Sequence, residues 1–199
     1  MHAQFVKSFA KFEQMVEIEP LPQIAFVGRS NAGKSSLLNM LTNHKGLAVT
    51  SQKPGRTRLI NFFKVNDIHF VDLPGYGYSV ASKSAEHGWG VEITNYLVKS
   101  EHLKLVFVLL DIRHAPSALD VGMLHFLQGH GITFKILATK CDKLSRAQQG
   151  NAKMKLATTL GLGKDDIILT SATNRQGREI ILSILTNLSK SDIIHSGVK

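Results

Sequence analysis

The sequence is poor in several things, and each shortage excludes something. It has a single cysteine, Cys141, in 199 residues. No internal disulfide can form, which suits a reducing compartment. No apolar run reaches about 18 residues, so no transmembrane helix is expected. The N-terminus lacks the charged-then-apolar pattern of a secretory leader. Nine histidines are scattered, with no Cys/His cluster at zinc spacing. Internal repeats and low-complexity tracts are absent. Acid is also short: 15 Asp plus Glu stand against 24 Lys plus Arg, a net charge of +9. From Pro20 to Asn66 there is no acidic residue, while Arg29, Lys34, Lys45, Lys53, Arg56, Arg58 and Lys64 all fall there. A basic face of this kind suits a polyanion such as RNA, and equally a solvated surface with no partner.

What is present is the composition of one globular domain, with 43% hydrophobic residues. Residues 1–20 read as a tail, with Phe5, Phe9 and Phe12 at helical spacing as a docking stripe. The apolar run Gln23–Val27 reads as a buried strand. Residues 43–58 read as a long loop, of the kind that is usually functional. Asn61–Val65 and Ile68–Val71 flank Asn66-Asp67 as a hairpin. Residues 84–99 read as a helix with Trp89, Ile93, Tyr96 and Leu97 on one face. Leu105–Leu110 is a strand buried on both faces. Helices are expected over 117–128, 145–160 and 175–189, and strands over 132–138 and 167–169. The alternation predicts an α/β fold: a mostly parallel six-stranded sheet with one antiparallel strand, at its edge, covered on both faces. The main domain spans 21–190, with a short tail over 191–199. Ligands in such folds sit at the C-terminal strand ends.

The chain is organised around Gly28-Arg29-Ser30-Asn31-Ala32-Gly33-Lys34-Ser35, followed by Ser36. It fits G-x-x-x-x-G-K-[ST], between a strand and a helix, as a phosphate-cradling loop requires. Backbone N–H groups and the helix N-terminus face phosphate oxygens. Lys34 would reach the β- and γ-phosphates, and the Ser35 hydroxyl would hold Mg²⁺. Asp72-Leu73-Pro74-Gly75 has the form D-x-x-G. Asp72, at a strand end, can bind Mg²⁺ through a water. The Gly75 N–H can meet a γ-phosphate with no side chain in the way. Thr139-Lys140-Cys141-Asp142 has the form [NT]-K-x-D. Asp142 can accept two hydrogen bonds from guanine, which adenine does not offer, while the Lys140 stem lies on the purine face. Thr170-Ser171-Ala172 could present a backbone N–H to guanine O6.

The order of these motifs is that of translation-factor and Ras-like GTPases. Thr57 sits where the first switch supplies a threonine to Mg²⁺ and γ-phosphate, with Thr50 as the alternative. A closer resemblance is carried by the phosphate loop through Ser36, by Lys53-Pro54-Gly55-Arg56-Thr57 and by Leu59-Ile60-Asn61-Phe62-Phe63. Val71–Tyr78 and Asp111-Ile112-Arg113-His114 complete it. Together these resemble the EngB (YsxC/YihA) family of bacterial GTPases over nearly the whole chain. The resemblance implies GTP or GDP lined also by Gly55, Arg56, Thr57, Arg58 and Leu59. It implies Mg²⁺ on Ser35, Thr57 and, through water, Asp72, with Lys34, Thr57 and Gly75 serving hydrolysis. It further implies a cytoplasmic, monomeric protein, with no membrane partner. Its expected partners are the large ribosomal subunit or its precursor and ribosomal RNA, with a link to cell division and septation. Cys141 stands where the family has a small alanine, and Ser171-Ala172-Thr173 departs from its usual Ser-Ser pair.

Two residues bear on mechanism. Tyr76 stands where Ras-like enzymes have the glutamine that orients water, so slow hydrolysis is expected; otherwise Tyr76 only packs. Asn31 either binds K⁺ beside the phosphates or simply tolerates a tight loop. Asp111, Arg113 and His114 are read as helix caps rather than catalysts. Two rivals remain: a nucleotide-gated RNA-binding module with negligible hydrolysis, and a P-loop ATPase or kinase, against which Asp142 argues.

Overall fold

The alternation of the apolar runs places the central strands. In β2 (Gln23–Gly28), Ile24 and Phe26 face one side of the sheet, and Ala25 and Val27 the other. The same division runs through β5 (Leu103–Asp111): Leu105, Phe107 and Leu109 on one face, Val106, Val108 and Leu110 on the other. Both faces are therefore covered. The computed structural model describes residues 2–48, 59–77 and 89–196. Under one face lie α1 (Lys34–Thr42) and α5 (Arg178–Ser196), and under the other α2 (Val91–Lys99), α3 (Ala118–Gly129) and α4 (Arg146–Leu160). The remaining strands are β1 (Ala3–Phe9), β3 (Ile60–Val65), β4 (Ile68–Asp72), β6 (Phe134–Thr139) and β7 (Ile167–Leu169).

The strand order is β1-β3-β4-β2-β5-β6-β7, seven strands rather than the six expected. Among the described strands only β3 runs against the others, antiparallel to both β1 and β4. It is thus one strand in from the edge. The chain leaves β2 and visits β3 and β4 on one side before crossing to β5 on the other. That reversal opens a crevice beside the C-terminal end of β2, where the phosphate loop begins.

The extra strand corrects the reading of residues 1–20 as a helical tail. Ala3–Phe9 pairs with Val65–Ile60, and the register shifts between Phe5 and Lys7. Such a bulge changes the parity of the strand, so residues four apart land on opposite faces. Phe5 meets Phe63 edge-on at 5.7 Å on one face, and Phe9 meets Phe62 at 5.6 Å on the other. Phe12 opens a short 3₁₀ turn, Phe12–Glu17, whose Phe12 N–H donates to Glu92 of α2. At the other end, α5 continues to Ser196, well into the segment read as a tail. The helix read over 84–99 is α2 from Val91; residues 84–88 lie outside the described residues.

Candidate nucleotide site

Three segments meet at the C-terminal ends of β2, β4 and β6, and backbone hydrogen bonds join them. The Ser30 N–H donates to the Tyr76 carbonyl at 3.1 Å, and the Tyr76 N–H to the Gly28 carbonyl at 3.2 Å. This fastens the D-x-x-G segment along the phosphate loop. Gly75 allows the close approach: a Cβ on it would lie 3.1 Å from the Ser30 nitrogen and push the two segments apart by a few tenths of an ångström. From β6, the Thr139 hydroxyl donates to the Ala32 carbonyl at 2.6 Å. The base-reading segment is thereby tied to the phosphate loop as well.

The phosphate loop has the backbone its sequence demands. Asn31 and Gly33 take positive φ, 67° and 95°. Gly33 is also the N-cap of α1, and no side chain caps the helix. The first N–H groups of α1, from Lys34, Ser35 and Ser36, are left to a ligand, at the positive end of the helix. Lys34 donates its ammonium to the Asp72 carboxylate, and both side chains are nearly buried, 11% and 6% exposed. The residue expected on phosphate and the residue expected at the metal are thus adjacent. Among the described residues no cluster of His, Cys, Asp or Glu forms a protein cage for a metal. Ser35 and Asp72 fit Mg²⁺ instead, which binds through one or two protein oxygens plus phosphate and water.

Asp142 follows Cys141 in a short 3₁₀ turn after β6. Its Oδ1 accepts from the Ser171 hydroxyl at 2.6 Å, and this bond, more than the nearby Lys143, holds the carboxyl below its ordinary range. The Ser171 Oγ in turn accepts from the N–H groups of Thr173 and Asn174, which fixes its own direction. Sequence reasoning gave this segment a backbone role only. The Ser171 side chain adds a second: it aims the carboxylate. Thr170, beside it, accepts the Cys141 N–H on its carbonyl. Cys141 is wholly buried in the core, and burial pushes its thiol pKa up.

Lys140 takes a positive φ of 60°, and its ammonium reaches back to the Asn31 carbonyl at 2.8 Å. It also meets Asp111 Oδ2 at 3.0 Å. Asp111 is gripped by Arg113 through two guanidinium bonds, at 2.9 and 2.7 Å. Burial alone would raise the Asp111 pKa. The hydrogen bonds from Arg113 and Lys140 outweigh it and hold the carboxyl below the carboxylate range. These residues border a cleft of about 230 Å³ beside the phosphate loop. The expectation that Asp111, Arg113 and His114 cap the next helix is corrected: Ser117 caps α3, in a reciprocal box with Asp120.

Tyr76 is 2% exposed, and its hydroxyl donates to Asp120 at 2.8 Å. Burial first, then the charge of Asp120, raises the phenol well above its ordinary pKa. It is held in the core, edge-on to Trp89. Of the other expected site residues, Leu73 is buried, while Pro74 and Ala172 are half-buried and Leu59 is exposed. Gly55, Arg56, Thr57 and Arg58, with the alternative Thr50, lie outside the described residues.

A family model described as "50S ribosome-binding GTPase" matches residues 23–140. A probable GTP-binding protein EngB from Clostridium perfringens is 46% identical over 92% of this chain and 93% of its own length. Its counterpart from Bacillus subtilis is 44% identical over 89% and 91%. Among solved structures, a probable GTP-binding protein engB matches with a TM-score of 0.68 at 21% identity, over 85% of this chain and 99% of that one. Era in complex with MgGDPNP and nucleotides 1506-1542 of 16S ribosomal RNA matches at 0.64 and 20% identity, over 82% and 55%. The two structures speak for the fold. The family match and the close relatives, taken with the motif order along one sheet edge, show more: the chain belongs to the EngB family of GTP-binding proteins.

Proposed function

We propose that this protein is a slow, Mg²⁺-dependent GTPase that works as a cytoplasmic switch in assembly of the large ribosomal subunit, with cell division and septation depending on it. The observation that carries the reading is the joining of phosphate loop, D-x-x-G segment and base-reading segment by direct hydrogen bonds, with the Asp142 carboxylate aimed by Ser171. A carboxylate so held discriminates guanine from adenine by pairing rather than by fit.

The residues have separable tasks. Lys34 reaches a phosphate only by leaving Asp72, and Asp72 is then free to accept from water. Ser35 and Thr57 would hold Mg²⁺ through their hydroxyls, and the ion when bound would neutralise phosphate charge. The Gly75 N–H marks the γ-phosphate for the D-x-x-G segment. The αL backbone of Asn31 accounts for an asparagine there without an ion; K⁺ as an additional cofactor is tested by replacing it with Na⁺. Tyr76 does not act as a base: its phenol stays protonated, donates to Asp120 and is buried away from solvent. The same burial favours one second reading, a nucleotide-gated RNA-binding module with negligible hydrolysis. Single-turnover GTP hydrolysis, with and without large ribosomal subunits, tests both. Slow turnover alone that speeds up with particles supports the switch. Particle binding that depends on GTP, with no hydrolysis in either condition, supports the module.

A further inference from the structure

We propose that Asp111 and Arg113 are positioning residues for the guanine nucleotide, acting through Lys140. The proposal rests on reading Thr139–Asp142 as the base-binding segment. A lysine stem that must lie across a purine is a flexible four-carbon chain, and ordering it costs rotamer entropy. Fixing both of its ends before the ligand arrives removes much of that cost. The backbone end is fixed by the αL conformation of Lys140. The ammonium end is fixed by two acceptors, the Asn31 carbonyl and Asp111 Oδ2. The carbonyl is neutral, whereas the carboxylate makes a charge-assisted bond, roughly twice as strong.

Arg113 explains why the carboxylate points the right way. Its Nε and one terminal nitrogen bind both Asp111 oxygens in a fork, and the Arg113 N–H adds a third bond to Oδ1. Asp111 is thereby held in one orientation, and Oδ2 keeps an open side toward Lys140. The pair sits at the end of β5, between the phosphate loop and β6, so it couples the base-reading segment to Asn31 of the phosphate loop.

The sign of the effect decides between two roles. A carboxylate bordering a phosphate cleft repels a polyphosphate. If Asp111 acted only as a charge, removing it would tighten nucleotide binding. If it is the post that holds Lys140, removing it weakens binding. The measurement is the dissociation rate of a fluorescent GDP from the full chain. Asp111→Asn is expected to speed dissociation about tenfold, and Lys140→Ala about as much. In the Lys140→Ala background, Asp111→Asn should add nothing. Fluorescent IDP, which lacks the 2-amino group, should lose by the same factor, because a stem lying on a face does not read the base edge. Arg113→Ala, an exposed change that keeps the carboxylate, should show a smaller loss in the same direction, also absent without Lys140. Unchanged or slower dissociation from Asp111→Asn, or an equal added loss in the Lys140→Ala background, overturns the proposal. Wild-type protein that holds ADP as tightly as GDP overturns the base reading beneath it, and is a distinguishable failure.

Discussion

At the scale of single residues, the site is a set of side chains aimed by others far away in sequence. Asp142 is aimed by Ser171, Lys140 by Asp111, and Tyr76 by Asp120. The motif residues themselves were legible, because each type is fixed by the ligand chemistry. Their supports were not, because a contact across 29 or 44 positions leaves no local spacing to read. Asp142→Asn is expected to lower GTP affinity about 10- to 100-fold and to raise affinity for XTP, whose 2-oxygen accepts from the new amide. Equal GTP affinity in the variant, by equilibrium titration, would remove guanine from the assignment. A second residue acts on stability. His69 is 1% exposed on β4, and its Nδ1 has no hydrogen-bond partner among the described residues. Burial lowers its pKa; Glu19 opposes the shift, while Lys64 and His102 add to it. Below about pH 6.5 the unfolded chain takes up a proton at this histidine before the native state does. The contribution of His69 is therefore full above pH 6.5 and declines as the pH falls toward the lowered native value. Urea unfolding of wild type and His69→Phe at pH 7.5 and pH 5.5 checks this: the wild type should lose more on acidification, by up to about 1.4 kcal/mol per pH unit.

At the scale of elements, the central sheet was readable and its edge was not. β2, β5 and β6 are apolar runs that only a doubly covered sheet can bury, and Ser145 marks the start of α4 as expected. β1 escaped because its bulge breaks the two-residue period and leaves phenylalanines at a spacing that imitates a helix. The consequence is measurable. Phe9 is 2% exposed against the β3 edge, whereas Phe5 is 53% exposed. Phe9→Ala should cost about 3 kcal/mol of unfolding free energy, and Phe5→Ala less than about 1 kcal/mol. Equal losses for the two would mean that residues 1–20 behave as the loosely docked helical stripe that their spacing suggested. The edge strand also bears on the site. β3 is clamped between β1 and β4, and Asn61 of β3 reaches Asp72 at 3.5 Å. Stabilising the edge therefore steadies the aspartate that meets Lys34.

At the scale of the whole molecule, the question is what the net charge of +9 is for. The acid-free span in sequence is not wholly acid-free in space. Lys64 pairs with Glu19 at 2.6 Å, so its charge is largely spent within the fold. Arg29 and Lys45 are exposed and have no acidic partner among the described residues. Lys53, Arg56 and Arg58 belong to the same span and lie outside the described residues. If the protein docks ribosomal RNA, as proposed, Arg29, Lys45, Lys53, Arg56 and Arg58 carry the contact and Lys64 does not. Each phosphate contact adds about 0.7 to 0.9 to the log–log salt slope. Lys45→Ala, Lys53→Ala and Arg58→Ala should each weaken binding and shallow that slope by about this amount. Lys64→Ala should leave it unchanged. Because Lys53 and Arg58 flank Thr57, the proposed γ-phosphate ligand, their losses should be larger with a GTP analogue than with GDP. Lys45, near the end of α1, should lose equally in both states. Filter binding of large-subunit RNA over a salt series, in both nucleotide states, separates these outcomes. A slope that Lys64→Ala lowers as much as Lys45→Ala does would mean that the protein responds to net charge alone, with no defined RNA-facing surface.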